Sequence, residues 1–273
     1  MIRQHFSQAA ASYAKHAFVQ KEIGQRLIER LDYISCQPKV FCDLGAGTGY
    51  FNDLLAKKFP DALSLGVDLS LEMLQQARSC TPSTPNKCFI SNDAHSLSFK
   101  KDSLNLVFSN LMLQWCPNVR QVLQQIFNVT SPGGLFLFST LGPDTLKEFR
   151  ASWETVDLKP HTNDFIDMHD IGDALLQSGF QDPVIETEYL TIEYPSVKKL
   201  MADLKGIGAQ NSHPNRPRGL TGKKQFQTFI QNYEKLRRSN GSLPVTYEVI
   251  YGLAWIPAIK PESTSHTLDI RQL

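Results

Sequence analysis

Five cysteines in 273 residues, at 36, 42, 80, 88 and 116, form no CxxC pair and leave an odd count. That spacing offers neither a zinc site nor a disulfide framework, so reduced thiols in a cytoplasmic chain without a metal are expected. No apolar run approaches the roughly eighteen residues that a membrane span needs. The N-terminus, MIRQHFSQAAASYAKHAF, lacks an apolar h-region and carries scattered charge, so it does not read as a secretory signal. Nor is there an evident nucleophile–base pair of the kind that covalent catalysis needs. What remains is an ordinary globular composition, 41% hydrophobic and 20% charged. The length suits one large α/β domain with an insertion, or two small domains.

The stretch Lys39 to Asp68, KVFCDLGAGTGYFNDLLAKKFPDALSLGVD, organises the chain. A short apolar run leads into Asp43, a glycine-dense turn follows, and a helix with Phe51, Leu54, Leu55 and Phe59 leads to a second apolar run ending in Asp68. That is strand, tight loop, helix and strand, the nucleotide-handling half of a doubly wound sheet. The glycines at 45, 47 and 49 give GxGxG, whereas a dinucleotide fingerprint wants a glycine where this chain has Tyr50. A carboxylate directly before the loop would repel a pyrophosphate, but it suits a ligand with an amino group and a positive charge. DLGAGTG resembles the first motif of class I methyltransferases, and the resemblance implies S-adenosylmethionine as cofactor and S-adenosylhomocysteine as its product.

Further along, apolar runs and turn signals alternate. Strands are expected at Lys87 to Ser91, Leu104 to Ser109 and Leu135 to Leu141, and helices at Leu71 to Ser79 and Pro117 to Thr130. The pattern βαβαβαβαβ implies a parallel sheet with helices on both faces. A helix is expected at His169 to Ser178 and strands at Pro183 to Tyr194 and Pro244 to Trp255. The resemblance to class I methyltransferases then implies a seven-stranded, mostly parallel, Rossmann-like α/β sheet with its last strand antiparallel. Residues 1–36 read as an N-terminal helical lid, 37–194 as the cofactor-binding core and 195–243 as a basic helical insertion. Residues 244–256 read as the last strand, and 257–273 as a frayed polar tail. In the first segment Val19, Ile23, Leu27 and Leu31 form one apolar stripe.

Ligands of open α/β sheets sit beyond the carboxyl ends of the strands. Asp43 can accept from an amino group, and the three glycines let backbone approach the ligand. Asp68, 23 residues past Gly45, stands where an acid takes ribose hydroxyls. Asp93 can accept from an adenine amine, with turn chemistry in NDA as the plain alternative. The expected cofactor contacts are His16, Asp43, Gly45, Ala46, Gly47, Gly49, Asp68, Leu69, Asp93, Ala94 and Asn110. Tyr13 and His16 lie three apart on one helix face, and packing against the sheet is the other reading for both.

SNLMLQWCPN at 109–118, STLGPDTLKEFR at 139–150, RPRGLTGKKQF at 216–226 and VTYEVIYGLAW at 245–255 occur together with Tyr13, His16 and Gln20. In that combination the chain resembles the malonyl-acyl carrier protein O-methyltransferases of biotin synthesis, from about Phe6 to Trp255. Asn105, where an Asp is common, and Leu253, where His is frequent, depart from that pattern. The resemblance implies methyl transfer to the free carboxylate of a malonyl thioester on acyl carrier protein. Tyr13 would orient that carboxylate. Asp144 is a second candidate, with a helix N-cap as its other reading. From Ser196 to Asn240 there are ten bases against two acids, a local excess of +8 in a chain whose total is +1. Such a segment can steer an acidic carrier protein, with Arg216, Arg218, Lys223 and Lys224 as expected contacts. Nucleic acid is not expected, because the aromatics between these bases are spaced for burial. Nor is a membrane partner. Two other function classes stay open: arginine hydroxylation, as in a related complex I assembly factor, and a non-catalytic scaffold.

Overall fold

A computed structural model describes residues 2–80, 85–217, 219 and 221–260. Its elements in chain order are α1 (Ile2–His16), α2 (Phe18–Glu29), β1 (Val40–Leu44), α3 (Tyr50–Lys58), β2 (Leu63–Asp68), α4 (Leu71–Cys80), β3 (Lys87–Ser91), β4 (Leu104–Asn110), α5 (Val119–Val129), β5 (Thr130–Leu141), α6 (Lys147–Glu154), α7 (Met168–Gln177), β6 (Gln181–Tyr194), α8 (Val197–Gly206), α9 (Lys223–Glu234) and β7 (Leu243–Trp255). Side chains on a strand point alternately to its two faces, and the apolar residues follow that period. Phe41, Leu106, Phe108, Leu135 and Leu137 enter one core, with α2, α3, α6, α8 and α9. Cys42, Val107, Phe136 and Phe138 enter the other, with α5 and α7.

The seven strands run in the order β3-β2-β1-β4-β5-β7-β6. The first five are parallel, and β7 lies antiparallel to both β5 and β6. The strand order reverses beside β1, so Asp43, Asp68 and Asn110 end neighbouring strands at one edge. Among the described residues no helix is long and apolar enough to cross a membrane.

Two local expectations are corrected. Residues 92–103 hold no helix between β3 and β4. The Asn92 side chain closes this link instead, accepting from the Ser98 N–H at 2.8 Å and donating to the Ser96 carbonyl at 3.0 Å. Ser131–Gly134 does not delay β5: Thr130 already pairs with Leu104, and a bulge absorbs the following residues before Leu135 meets Leu106. The expected tail falls mostly in residues 261–273, outside the described residues. Its start is anchored, since Lys260 Nζ donates to the carbonyls of Phe127 and Thr130, each at 2.6 Å, at the C-terminal end of α5.

The stripe Val19, Ile23, Leu27 and Leu31 is buried against the sheet, so α2 is part of the core. Gly24 lets it approach α3: a Cβ at that position would lie 2.1 Å from the Phe51 ring. In an open helix Gly→Ala would stabilise by about 1 kcal/mol. Here Gly24→Ala overpacks and is expected to destabilise by about 1–3 kcal/mol, read as a lower urea midpoint at unchanged slope.

Candidate functional site

Two cavities meet at the carboxyl edge of the sheet. The smaller, about 320 Å³, is walled by Gly45, Gly47, Asp68, Leu69, Ser70, Asp93, Ala94 and Asn110, and covered by Ile2, Arg3, Phe6 and Tyr13 of α1. The larger, about 500 Å³, is mostly apolar, with Leu141, Leu146, Phe149, Phe165, Met201 and Tyr247 around it and Lys198 and Lys205 of α8 at its exposed side. Phe6, Tyr13, Leu111 and Trp115 line both. In that shared wall the Phe6 and Trp115 rings meet edge to face, centroids 5.1 Å apart. A third, small pocket holds Asp43, Ala46, Gln20 and Tyr50, and Tyr13 lines this one as well.

The glycine loop is built on the end of β2. The N–H groups of Gly45 and Ala46 both donate to the Val67 carbonyl, at 2.8 and 2.9 Å. Gly45 has φ +84°, and a side chain there would meet Met112 at 2.7 Å. Gly49, φ +80°, starts α3 from a left-handed conformation. The Gly47 N–H donates to Asp68 Oδ2 at 2.9 Å, and the Ser70 N–H donates to Oδ1 at 2.8 Å. Burial nevertheless holds the Asp68 carboxyl above the usual carboxylate range, those backbone N–H bonds offsetting part of it. Asp43 is 2% exposed. Burial first, then the charge of Asp68, push its pKa up to about 8, against one backbone N–H from Asn52 in the first turn of α3. Asp93 differs. The backbone N–H and the ring of His95 hold it low, from 2.9 Å each, so it is a ready anion at the open end of the cleft.

Two buried acceptors beside the loop, Asp43 Oδ2 and Gln20 Oε1, have no protein partner. A buried acceptor without a donor costs about 1–3 kcal/mol. Two of them next to a crowded carboxylate pair suit a ligand that brings N–H donors and positive charge, as the amino acid end of S-adenosylmethionine does. Asn110 positions this corner: its Nδ2 donates to the Gln20 carbonyl at 3.0 Å, and its Oδ1 accepts from Ser139 Oγ at 2.7 Å.

Of the expected cofactor contacts, Asp43, Ala46 and Gly47 border the small pocket, and Gly45, Gly47, Asp68, Leu69, Asp93, Ala94 and Asn110 line the cleft. Gly49 acts through the turn it makes. His16 turns away: its ring packs against Gly206, its Nδ1 lies 2.7 Å from Asp203 Oδ1, and it lines none of the three cavities. Asp144 is also elsewhere. The GPDT turn presents Thr145 and Leu146 to the large cavity, while the Asp144 carboxylate points outward, 3.2 Å from Lys147 Nζ. It does not cap α6, whose N-cap is Leu146. Arg216 donates to the His213 carbonyl at 3.3 Å, Lys223 and Lys224 are exposed in the first turn of α9, and none of them lines any of the three cavities described. Arg218 lies outside the described residues. Asn105 has a structural task, accepting from the N–H groups of Lys39 and Val40 at 3.0 Å and donating to Ser131. Leu253 packs half-buried on the core.

The residues that were missed are Phe6, Leu111, Trp115, Thr145, Leu146 and the acceptor of Gln20. Leu111 and Leu146 both hold a left-handed backbone, φ 52° and 58°. Nothing in a leucine announces that conformation, which the surroundings impose through bonds to Ser139 and to the Thr246 carbonyl.

The Asp43 environment sets a pH dependence with a definite sign. Below about pH 4 both folded and unfolded chains keep this proton. As pH rises from there toward about 8, only the unfolded chain releases it, so stability is lost by about 1.4 kcal/mol per unit. Asp43→Asn in the ligand-free protein is expected to raise Tm at pH 8, by a margin that shrinks toward pH 4. Affinity of the wild type for a cationic ligand should fall as pH drops below about 8, because the carboxylate must then be ionised by the ligand. Thermal scans and calorimetric titrations across pH 5–9 check both.

A methyltransferase domain family matches residues 42–138. The malonyl-[acyl-carrier protein] O-methyltransferase of Gallionella capsiferriformans is 45% identical over 264 residues, 94% of this chain and 90% of that protein. The protein of the same name from Nitrosospira multiformis is 41% identical over 286 aligned positions, 97% and 93% of the two chains. Among solved structures, the Bacillus subtilis protein YcgJ superposes with a TM-score of 0.60 at 17% identity, over 86% of this chain and 99% of its own, a likeness of fold. With identity of this degree running along nearly the whole of both chains, this protein belongs to the malonyl-[acyl-carrier protein] O-methyltransferase family.

Proposed function

We propose that the chain transfers a methyl group from S-adenosylmethionine to the free carboxylate of a malonyl thioester on acyl carrier protein, giving the methyl ester used for pimeloyl and biotin synthesis. One observation carries the reading beyond family membership: a cleft suited to the donor and a larger, mostly apolar cavity share a wall that includes Tyr13. S-adenosylmethionine supplies the sulfonium methyl, whose S–C bond breaks as the new C–O bond forms, leaving S-adenosylhomocysteine. Asp43 and Gln20 would hold its amino group, Asp68 its ribose and Asp93 its base.

A malonyl carboxylate is already ionised at neutral pH and needs no general base. Tyr13 is unsuited to be one. Burial first, then the charges of Asp68 and Asp43, hold its hydroxyl above the ordinary phenol range, so it keeps its proton and is available to donate a hydrogen bond. It can orient the carboxylate without neutralising it. Around it Phe6, Leu111, Trp115, Leu146 and Phe149 exclude water. Charge is annihilated when an anion attacks a cation, so a dry, aligned site favours the transition state over solvated reactants.

The acidic carrier protein is read onto α8 rather than α9. Lys199, Arg237 and Arg238 are paired with Asp203, Glu234 and Glu193, whereas Lys198 and Lys205 edge the large cavity, where a tethered substrate would enter. Tyr13→Phe is expected to lower kcat by about tenfold to a hundredfold, with S-adenosylhomocysteine affinity by calorimetry within about twofold. Unaltered turnover would rule out this role. Lys198→Glu with Lys205→Glu should raise KM for malonyl-acyl carrier protein by about tenfold, and the difference should shrink with added salt. An equal KM for variant and wild type in low salt moves the docking surface elsewhere.

A further inference from the structure

α1 packs against α4 on one side and α8 on the other, and both contacts are made by specific bonds. Toward α4, Ser7 Oγ lies 3.0 Å from Ser70 Oγ and donates to Glu72. Toward α8, Ser12 Oγ donates to the Gly206 carbonyl at 2.9 Å, and His16 Nδ1 meets Asp203 Oδ1 at 2.7 Å. Asp203 is 5% exposed and also accepts from Lys199 Nζ at 2.7 Å. Burial alone would raise its pKa, but the bonds from Lys199 and His16 outweigh that and keep it an anion. The chain around α8 is shaped to receive α1. A Cβ at Gly206 would lie 2.4 Å from the His16 ring, and one at Gly208, φ +75°, would lie 3.1 Å from the His5 carbonyl oxygen.

Residues three and four apart share a helix face, so Ser12 and His16 fix the turn of α1 that carries Tyr13. We infer that His16 is a positioning residue, which through Asp203 sets the rotation of α1 that holds Tyr13 in the wall shared by the two cavities. This rests on the role given to Tyr13 above. His16 acts at a distance because it lines neither cavity. Removing it leaves Asp203 with Lys199 as its partner, so no carboxylate is stranded in the core and the fold should survive. A displacement of about 1 Å of an aligned group costs up to about a hundredfold in rate, so the latch can matter to turnover more than to stability.

A double-mutant cycle tests this, using the full chain with malonyl-acyl carrier protein. His16→Leu should lower kcat at least tenfold while S-adenosylhomocysteine affinity holds within threefold. His16→Asn can still offer a donor near the Nδ1 position and should restore most of the lost rate. In a Tyr13→Phe background, His16→Leu should cost no more than twofold further. Gly206→Ala, which keeps every latch side chain but crowds the His16 ring, should reproduce the His16→Leu loss and covers the case in which that variant does not fold. The inference is overturned if His16→Leu turns over like the wild type, if Leu and Asn are equally slow, or if the loss persists in full in the Tyr13→Phe background. Tyr13→Phe alone turning over at the wild-type rate refutes the role of Tyr13 and takes the inference with it. A slow Tyr13→Phe leaves only His16 on trial.

Discussion

Asp43 and Asp68 end adjacent parallel strands, and the fold must hold both carboxylates in a space from which water is largely excluded. Like charges in such a place raise one another's pKa and cost stability. The surrounding chain is arranged to limit that cost. Backbone N–H groups of Gly47, Leu69 and Ser70 converge on Asp68, and the first turn of α3 turns the Asn52 N–H toward Asp43. The left-handed glycines bend the loop so that its amides reach those positions. What stays unsatisfied, Asp43 Oδ2, is a standing demand for a cation with N–H donors. The ligand-free protein therefore carries a strain that binding relieves, a stability–function trade-off of the usual kind.

The strand ends supply the floor of the smaller cleft, which α1 covers. The larger cavity draws mainly on segments outside the sheet, α1, the links after β4 and β5, and α8, with Leu141 of β5 and Tyr247 of β7 beside them. Two leucines, Leu111 and Leu146, are held in left-handed backbone at the joins of these links, and both face the large cavity. Each is held by bonds to a neighbouring strand, Leu111 to Ser139 of β5 and Leu146 to Thr246 of β7. Strain of about 1–3 kcal/mol per residue persists where the surroundings over-determine it, and here it aims side chains into the large cavity.

The first half of the sheet was legible because β1 to β4 are short, largely apolar runs closed by turn signals. The cofactor corner was legible because a carboxylate before a glycine loop has few structural uses. Contacts between distant segments were not. His16 and Asp203 are 187 positions apart, and no local pattern states that a histidine on an N-terminal helix will meet an aspartate on α8. Asp144 misled because a polar turn after a strand tip has the composition of a site, while its rotation decides which residue faces inward: Thr145 and Leu146, not the acid. The charge excess of the insertion was a property of the whole segment. Its pairing, which leaves Lys198 and Lys205 beside the cavity, depends on Glu193 and on where α8 lies.

Tyr13 illustrates why position outweighs residue type in this site. A half-buried phenol near two carboxylates could be taken for a base, but burial of its hydroxyl first, then the charges of Asp68 and Asp43, raise its pKa and remove that option. The hydroxyl keeps its proton, which in the proposed role is what it would offer an anionic acceptor. An arginine in that place would bind the acceptor anion more tightly, yet it would stabilise the reactant carboxylate as strongly as anything formed later, and so would not speed the transfer. In the proposed role, a neutral donor held by packing would orient the nucleophile and leave its charge to meet the sulfonium. Such a donor works only if the helix that carries it is fixed, and α1 is bonded through Ser7 to Ser70 and Glu72 at the start of α4 and through Ser12 and His16 to α8.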